Sequence, residues 1–181
     1  MDALIVVDMQ VGLLNGGPKH DLAGVIDRIN SLSAAVRRCG GKVVWIRHTG
    51  PVGGDFAPNG PGWAFLPDLN RRPDDLLVEK TLNDPFAGTN LRATLQGISA
   101  DRLLVVGWAT DQCVDSTVRS AISNGYDVVA VSDGHTLSDR PHLAAPEVIA
   151  HHNWVWGDLI TRRSIAVKTA AQLLEELEGS G

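Results

Sequence analysis

The chain has 181 residues, of which 44% are hydrophobic and 20% are charged, an ordinary composition for a globular protein. Its formal net charge is -5, and no basic cluster exceeds two adjacent arginines, so a nucleic-acid surface and an anionic-membrane surface are both disfavoured. We therefore expect a single domain over residues 1–181 that acts on a small molecule.

The first apolar run and the cysteine content indicate the compartment. The N-terminal segment has no basic region and its apolar run ends at Asp8, so neither a signal peptide nor a membrane span is expected. Cys39 and Cys113 are too few for a disulfide scaffold or a cysteine-based zinc site. We expect a cytoplasmic protein with two free thiols.

Short apolar runs rich in β-branched residues alternate along the chain with longer segments of helical periodicity. The predicted strands are Leu4–Val7, Lys42–Ile46, Leu103–Val106, Val128–Val131 and a weaker Ser164–Val167. The predicted helices are Leu22–Val36, Thr89–Gln96, Gln112–Ser123, Pro146–Ile160 and Thr169–Leu177. Strands that are apolar on both faces suit a parallel sheet covered on both sides. The pattern predicts an α/β fold, a three-layer α/β/α sandwich with a mainly parallel, Rossmann-like sheet.

The segment from Thr49 to Leu76 interrupts this alternation, because glycines and prolines are spread through it. A loop of this length in a compact domain usually forms a lid or a binding wall. It contains Phe56, Trp63 and Phe65. These aromatic side chains either fix the loop onto its own domain or a neighbouring subunit, or line a pocket.

Three chemically active side chains fall where apolar runs end, at the edge where parallel α/β sheets place their sites. Asp8 ends the first strand, Lys80 follows the apolar run Leu76–Val78, and Cys113 opens the helix after Leu103–Val106. Each has a structural interpretation: Asp8 as a turn or capping residue, Lys80 as a solvated lysine, and Cys113 as a small buried hydrophobe. Together they would form a nucleophile assisted by an acid and a base.

The position of Cys113 at a helix N-terminus favours its thiolate. The unpaired N–H groups of the first turn and the positive end of the helix dipole predict a pKa below that of a free thiol. Cys39 ends a helix, where the dipole disfavours a thiolate, so we interpret it as structural.

Several segments of the chain resemble the isochorismatase-like cysteine hydrolases, the superfamily of nicotinamidases, N-carbamoylsarcosine amidases, biuret hydrolases and isochorismatases. The matching segments span nearly the whole chain and are Val6–Gln10, Val78–Lys80, Asp84–Leu91, Gly107–Val114 and Ser132–His135. The resemblance implies that Asp8, Lys80 and Cys113 form a catalytic triad. It also implies a cis peptide between Trp108 and Ala109, which would direct the N–H of Ala109, with that of Cys113, at an oxyanion.

The histidines do not reproduce the metal site of nicotinamidases, which carry an Asp-x-His and further histidines after the second strand. Here His48 stands in that region and the next histidine is His135. Because zinc-type centres need at least three protein ligands, we expect no metal and no cofactor. We interpret His48 as structural or as a substrate contact, and His151 and His152 as a solvated segment or a subunit contact.

The retained cysteine favours C–N bond cleavage over isochorismatase chemistry, because vinyl-ether hydrolysis needs no thiol nucleophile. The expected function is hydrolysis of a small amide, ureido or carbamoyl compound through a Cys113 thioester. The alternatives are an isochorismatase-type or other specificity in the same family, or a noncatalytic α/β thiol sensor or binding protein. Gln10, Trp63, Phe86 and Trp108 are candidate substrate-binding residues, because they adjoin the triad segments or lie in the long loop. The resemblance also implies a homodimer or homotetramer.

Overall fold

The computed structural model describes residues 1–179, which fold into strands and helices that alternate along most of the chain. The strands are β1 (Asp2–Val7), β2 (Lys42–His48), β3 (Leu76–Lys80), β4 (Arg102–Trp108), β5 (Asp127–Thr136) and β6 (Ile165–Lys168). The α-helices are α1 (Val11–Leu14), α2 (Leu22–Arg38), α3 (Leu91–Gly97), α4 (Asp115–Ser123), α5 (Ala145–Gly157) and α6 (Ala170–Glu178). A π-helical turn, Thr110–Val114, joins β4 to α4. None of the helices in this part of the chain has the length and apolar character needed to cross a bilayer.

The strands form one sheet in the order β3-β2-β1-β4-β5-β6, and all neighbouring strands are parallel. The chain builds outward from β1 to β3 and then returns to the other side of β1 with β4. This reversal creates a switch point between β1 and β4, where open α/β sheets place their ligands, beyond the carboxyl ends of the strands.

Helices cover both faces of the sheet and give the predicted three layers. On one face, Ile29 and Leu32 of α2 and Leu173 of α6 pack against the strands. On the other face, the core includes Leu95 of α3 and Val118 of α4. Strands buried on both sides explain the continuous apolar runs of the sequence. The predicted fold class is confirmed.

The structure differs from the sequence prediction in local detail. The apolar run before Lys80 is a sixth strand, β3, at the edge of the sheet. It was not recognised as a strand because only Val78 and Lys80 of its five residues are buried, so the apolar signal is short. The predicted helix Gln112–Ser123 is divided into the π turn and α4.

The long loop between β2 and β3 contains no helix or strand and is fixed onto its own domain. Phe65 is buried in the core, edge-on to Trp45 at 5.5 Å between ring centroids. The N–H of Leu66 donates to the carbonyl of Met9 at 3.0 Å, close to the end of β1. One of the two interpretations of the loop aromatics, attachment to the domain, therefore holds for Phe65.

Candidate active site

Asp8, Lys80 and Cys113 meet at the carboxyl edge of the sheet. Asp8 directly follows β1, Lys80 is the last residue of β3, and Cys113 lies in the π turn after β4. Asp8 has a positive φ of 51°, and its N–H donates to the carbonyl of Ile46 in β2 at 3.1 Å. The site therefore occupies the switch point of the sheet, as expected for this topology.

Lys80 connects the other two side chains. Its Nζ lies 2.6 Å from Oδ2 of Asp8 and 3.4 Å from Sγ of Cys113, and it donates to the carbonyl of Leu82 at 3.1 Å. The side chains of Asp8 and Lys80 are completely buried, while Cys113 is half-buried. The second carboxylate oxygen of Asp8, Oδ1, has no hydrogen-bond partner within residues 1–179. The arrangement leaves the thiol as the accessible member of the group.

Burial determines the protonation of the group. It raises the pKa of Asp8, against the opposing effect of the Lys80 ammonium. Burial and the neighbouring Asp8 carboxylate raise the pKa of Cys113 to about 12, again opposed by Lys80. The expectation of a lowered thiol pKa is therefore wrong. That expectation rested on the helix N-terminus alone. In the folded protein, desolvation and the nearby carboxylate have larger effects on the thiol pKa. These surroundings favour the protonated form of Cys113.

Side chains from α4, β5 and the connection between β5 and α5 hold the π turn. Thr117 in α4 donates its hydroxyl to the carbonyl of Cys113 at 2.6 Å. Arg140 forms a bidentate pair with Asp111 at 2.6 and 2.7 Å. His135, in β5, is bonded through Nδ1 to the hydroxyl of Thr110 at 2.9 Å. These contacts fix the backbone that carries the thiol.

The residues just before the π turn have an unusual backbone. The peptide between Trp108 and Ala109 is cis. Gly107 has φ of 124°, and a Cβ there would lie 2.2 Å from the carbonyl oxygen of Val7, so only glycine lets β4 approach the end of β1. The Ala109 carbonyl accepts from the N–H groups of Gln112 and Val114, while its own N–H has no acceptor in the described part of the chain. This N–H is free to bind a ligand oxygen.

Gln10 makes a set of backbone contacts from a fully buried position. Its Nε2 donates to the carbonyls of His48 at 3.0 Å and Trp63 at 3.1 Å, and its Oε1 accepts from the N–H of His48 at 2.7 Å. Both amide protons are therefore used within the protein. Gln10 ties the end of β2 to the long loop.

The side chains of the other three candidate substrate-binding residues lie in three different environments. Phe86 packs in the core against Tyr126, with ring centroids 6.0 Å apart. Trp108 is half-buried, and the Lys19 ammonium lies 5.4 Å from its ring centroid. The Trp63 indole is stacked on the guanidinium of Arg47. None of the three side chains is hydrogen-bonded to Asp8, Lys80 or Cys113 within residues 1–179.

Two further groups, one beside the thiol and one beside Lys80, were not anticipated. Asn83 Oδ1 lies 3.7 Å from Sγ of Cys113, and the carbonyl of Leu82 accepts from Lys80. Both residues lie within three positions of the end of β3, so their proximity to Lys80 in the sequence is the signal that could have identified them. Asn83 is exposed and can meet a substrate bound at the thiol.

His48 lies at the end of β2, paired in the sheet with Lys80. Its ring contacts Phe56 edge-on at 5.6 Å, and burial together with Lys80 lowers its pKa. Residues 1–179 contain no cluster of three or more His, Cys, Asp or Glu side chains that could hold a metal ion. The donor set of the nicotinamidase metal is therefore not reproduced around His48.

The sequence matches the family described as "Isochorismatase domain" over residues 2–161. The chain belongs to the isochorismatase family. This confirms the resemblance on which the triad assignment was based. The matched range includes Asp8, Lys80 and Cys113.

Curated relatives of this isochorismatase-family chain include named hydrolases. Streptothricin hydrolase from Streptomyces noursei is 36% identical over 149 residues, which cover 82% of this chain and 53% of that protein. Ureidoacrylate amidohydrolase RutB from Stutzerimonas stutzeri (strain A1501) is 30% identical over 182 residues, covering 80% of this chain and 71% of that protein. The chain spans little more than half the length of the streptothricin hydrolases that it matches.

A solved structure shows the same architecture as this isochorismatase-family chain. The crystal structure of a cysteine hydrolase from Pseudomonas syringae pv. phaseolicola 1448A has a TM-score of 0.88 and covers 99% of this chain and 93% of that chain. The sequence identity is 24%, so the likeness supports the fold.

Proposed function

We propose that this protein is a cysteine hydrolase that cleaves the C–N bond of a small amide, ureido or carbamoyl compound through a thioester on Cys113. The observation that carries the proposal is the position of Lys80 Nζ, 2.6 Å from Asp8 and 3.4 Å from Cys113. A thiol, a carboxylate and an ammonium in one place can generate a nucleophile and move its proton. The names of the relatives, an amidohydrolase and a hydrolase, agree with this chemistry.

In the first step the Cys113 proton moves to the Asp8 carboxylate as sulfur bonds to the substrate carbonyl carbon. Because the pKa of Cys113 is raised to about 12, the thiolate forms during the attack rather than beforehand. The raised pKa of Asp8 makes its carboxylate a stronger base than an exposed aspartate. The carbonyl electrons move to oxygen, and the N–H groups of Ala109 and Cys113 stabilise the resulting oxyanion.

In the second step protonated Asp8 gives its proton to the substrate nitrogen. The oxyanion re-forms its carbonyl, the C–N bond breaks, and ammonia or an amine leaves a thioester on Cys113. Water then loses a proton to Asp8 and adds to the thioester carbon. Collapse of this second tetrahedral intermediate releases the carboxylic or carbamic acid, and Cys113 regains its proton from Asp8. Throughout the cycle the Lys80 ammonium stabilises the negative charge, whether that charge is on Asp8 or on Cys113.

The buried Asp8–Lys80 pair beside Cys113 favours turnover over the noncatalytic alternative. Redox-sensing cysteines are accessible and have a low pKa, because the thiolate is the species that is oxidised. Cys113 is half-buried and its pKa is raised. A buried carboxylate poised to accept the proton suits turnover, in which a thiolate is needed only transiently.

The test is ammonia release across aliphatic amides, aromatic amides, ureido acids and biuret-type compounds. Wild type is compared with Cys113→Ala and with Cys39→Ala, which removes the exposed second thiol. We expect turnover of at least one compound class by wild type and Cys39→Ala, none by Cys113→Ala, and an acyl adduct on Cys113 in acid-quenched intact-mass spectra. Wild-type turnover by Cys113→Ala would refute the covalent route. Cleavage of isochorismate in a separate assay of its own product, with none of the C–N compounds turned over, would refute C–N specificity.

We further propose that the protein works in the cytoplasm as a homodimer or homotetramer, with a small molecule as its substrate and without a nucleic-acid or membrane partner. The net charge of -5 supports the absence of a polyanion-binding surface. Trp154 and Ile160 are 69% and 100% exposed and supply apolar area for subunit contact. Light scattering coupled to gel filtration tests the assembly, and a monomer at micromolar concentration would contradict it.

A further inference from the structure

The long loop lines an open cleft on the face of the sheet opposite the Lys80 side chain. Successive side chains of a strand point to opposite faces of the sheet. Arg47 precedes His48 in β2 and Glu79 precedes Lys80 in β3, so Arg47 and Glu79 point to the face opposite that of Lys80, which we call the catalytic side. The cleft has a volume of ≈ 530 Å³ and lies over Phe65, which belongs to the core on the α2 side. This volume falls within the range of small-molecule sites.

Two guanidinium groups converge on this cleft. The Arg47 guanidinium carbon lies 3.3 Å from the ring centroid of Trp63 and 5.6 Å from that of Phe65. The Arg71 guanidinium carbon lies 4.4 Å from the Phe65 centroid. Leu66 and Leu69 add apolar surface to the same cleft. The cleft therefore combines two cationic groups with an aromatic and aliphatic wall.

The positive charge in the cleft is only partly neutralised. Arg47 forms an ion pair with Glu79 at 2.6 Å, but its Nε is buried and has no hydrogen-bond partner in the part of the chain that the structure describes. The Arg71 guanidinium makes no hydrogen bond or ion pair within residues 1–179. The nearby carboxylate of Asp75 accepts from Arg37 at 2.6 and 2.9 Å. Burial and the proximity of Arg47 lower the pKa of Arg71, which is the effect of two cations that share a partly desolvated space.

We propose that this cleft is a binding site for a small organic anion. Its carboxylate would be held by Arg71 and the free Nε of Arg47, and its apolar body would lie against Phe65 and Leu66. Guanidinium groups bind carboxylates with short, charge-assisted hydrogen bonds, and the aromatic wall favours an organic ligand over a free inorganic anion. The site is separate from Cys113 and does not depend on the reaction catalysed there.

Isothermal titration calorimetry with benzoate tests the site, using Arg71→Gln and a matched control, Arg72→Gln. Arg72 is the adjacent arginine; it is exposed, as Arg71 is, but it does not line the cleft. We expect wild type and Arg72→Gln to bind benzoate equally, and Arg71→Gln to bind at least about tenfold more weakly, the effect of losing a charge-assisted contact. Benzyl alcohol should not bind, and inorganic phosphate should bind more weakly than benzoate.

Circular dichroism and ammonia release by Arg71→Gln check that the fold and the catalytic side are intact. The proposal is overturned if wild type shows no saturable heat with benzoate, or if Arg71→Gln binds as tightly as wild type. Equal losses in Arg71→Gln and Arg72→Gln would indicate general surface charge and would also overturn it. Phosphate binding as tight as benzoate binding would overturn the organic character of the ligand.

Discussion

The ammonium of Lys80 lies 2.6 Å from the carboxylate of Asp8, and neither side chain is exposed to solvent. Moving both charges out of water costs free energy, which can exceed what their mutual attraction returns, so a buried ion pair adds little net stability. It is retained here beside a thiol whose proton must move. In the pair each charge compensates the other, and Asp8 supplies the base of the proposed reaction.

Replacing Lys80 with methionine should lower both the folding stability and the activity. The Asp8 carboxylate would be left without its counter-charge, which costs about 3–5 kcal/mol when one partner of a buried pair is removed. We expect urea unfolding to show this loss and ammonia release to fall at least about 100-fold.

The double variant Asp8→Asn with Lys80→Met is the control for this prediction. With both charges absent, the free energy of unfolding should recover relative to Lys80→Met, while activity should stay lost. A double variant that regains turnover would contradict the role given to the pair.

The pH dependence of turnover should report Asp8. Its carboxylate must be ionised to accept the Cys113 proton, and burial raises its pKa above the ordinary value of about 3.9. We expect kcat/KM to fall as the pH drops through that raised pKa, in a profile measured on the best substrate. The His48→Asn variant distinguishes Asp8 from His48. If the fall of kcat/KM at low pH disappears in this variant, the titrating group is His48 and not Asp8.

His135 should make folding stability sensitive to mild acid. Burial lowers its pKa to about 4, with its Nε2 3.1 Å from Asn153 Oδ1. Between pH 6.5 and 4 the unfolded chain binds a proton that the folded protein does not, so stability is full above about pH 6.5 and falls by up to about 3 kcal/mol as the pH drops through this window. Urea midpoints of wild type and His135→Gln across this range measure the effect, and parallel curves would show that His135 does not contribute.

Gly107 and Gly97 should respond to alanine in opposite directions. At Gly107, φ of 124° and the 2.2 Å approach of a new Cβ to the Val7 carbonyl force β4 away from β1, so we expect a loss of more than about 3 kcal/mol. At Gly97, in α3, a Cβ meets nothing within 4 Å, and alanine should stabilise by about 0.5–1 kcal/mol. Thermal unfolding of both variants checks this. Similar midpoints would refute the steric argument.

The sequence by itself determined the layers, most of the strands and the edge at which Asp8, Lys80 and Cys113 meet. These features depend on local periodicity and on the rule that parallel strands bring their carboxyl ends together. Strand β3 was missed because an edge strand buries few side chains and leaves a weak apolar signal.

Only the tertiary structure decided the protonation of Cys113, the backbone contacts of Gln10, and the position of Trp63 against Arg47 in a separate cleft. Each depends on segments that are distant in the chain. Asp8 lies 105 positions before Cys113 in the chain, yet burial of the thiol and the Asp8 charge dominate the thiol pKa. Desolvation is a property of the packed surroundings, which a local sequence pattern at a helix N-terminus does not contain.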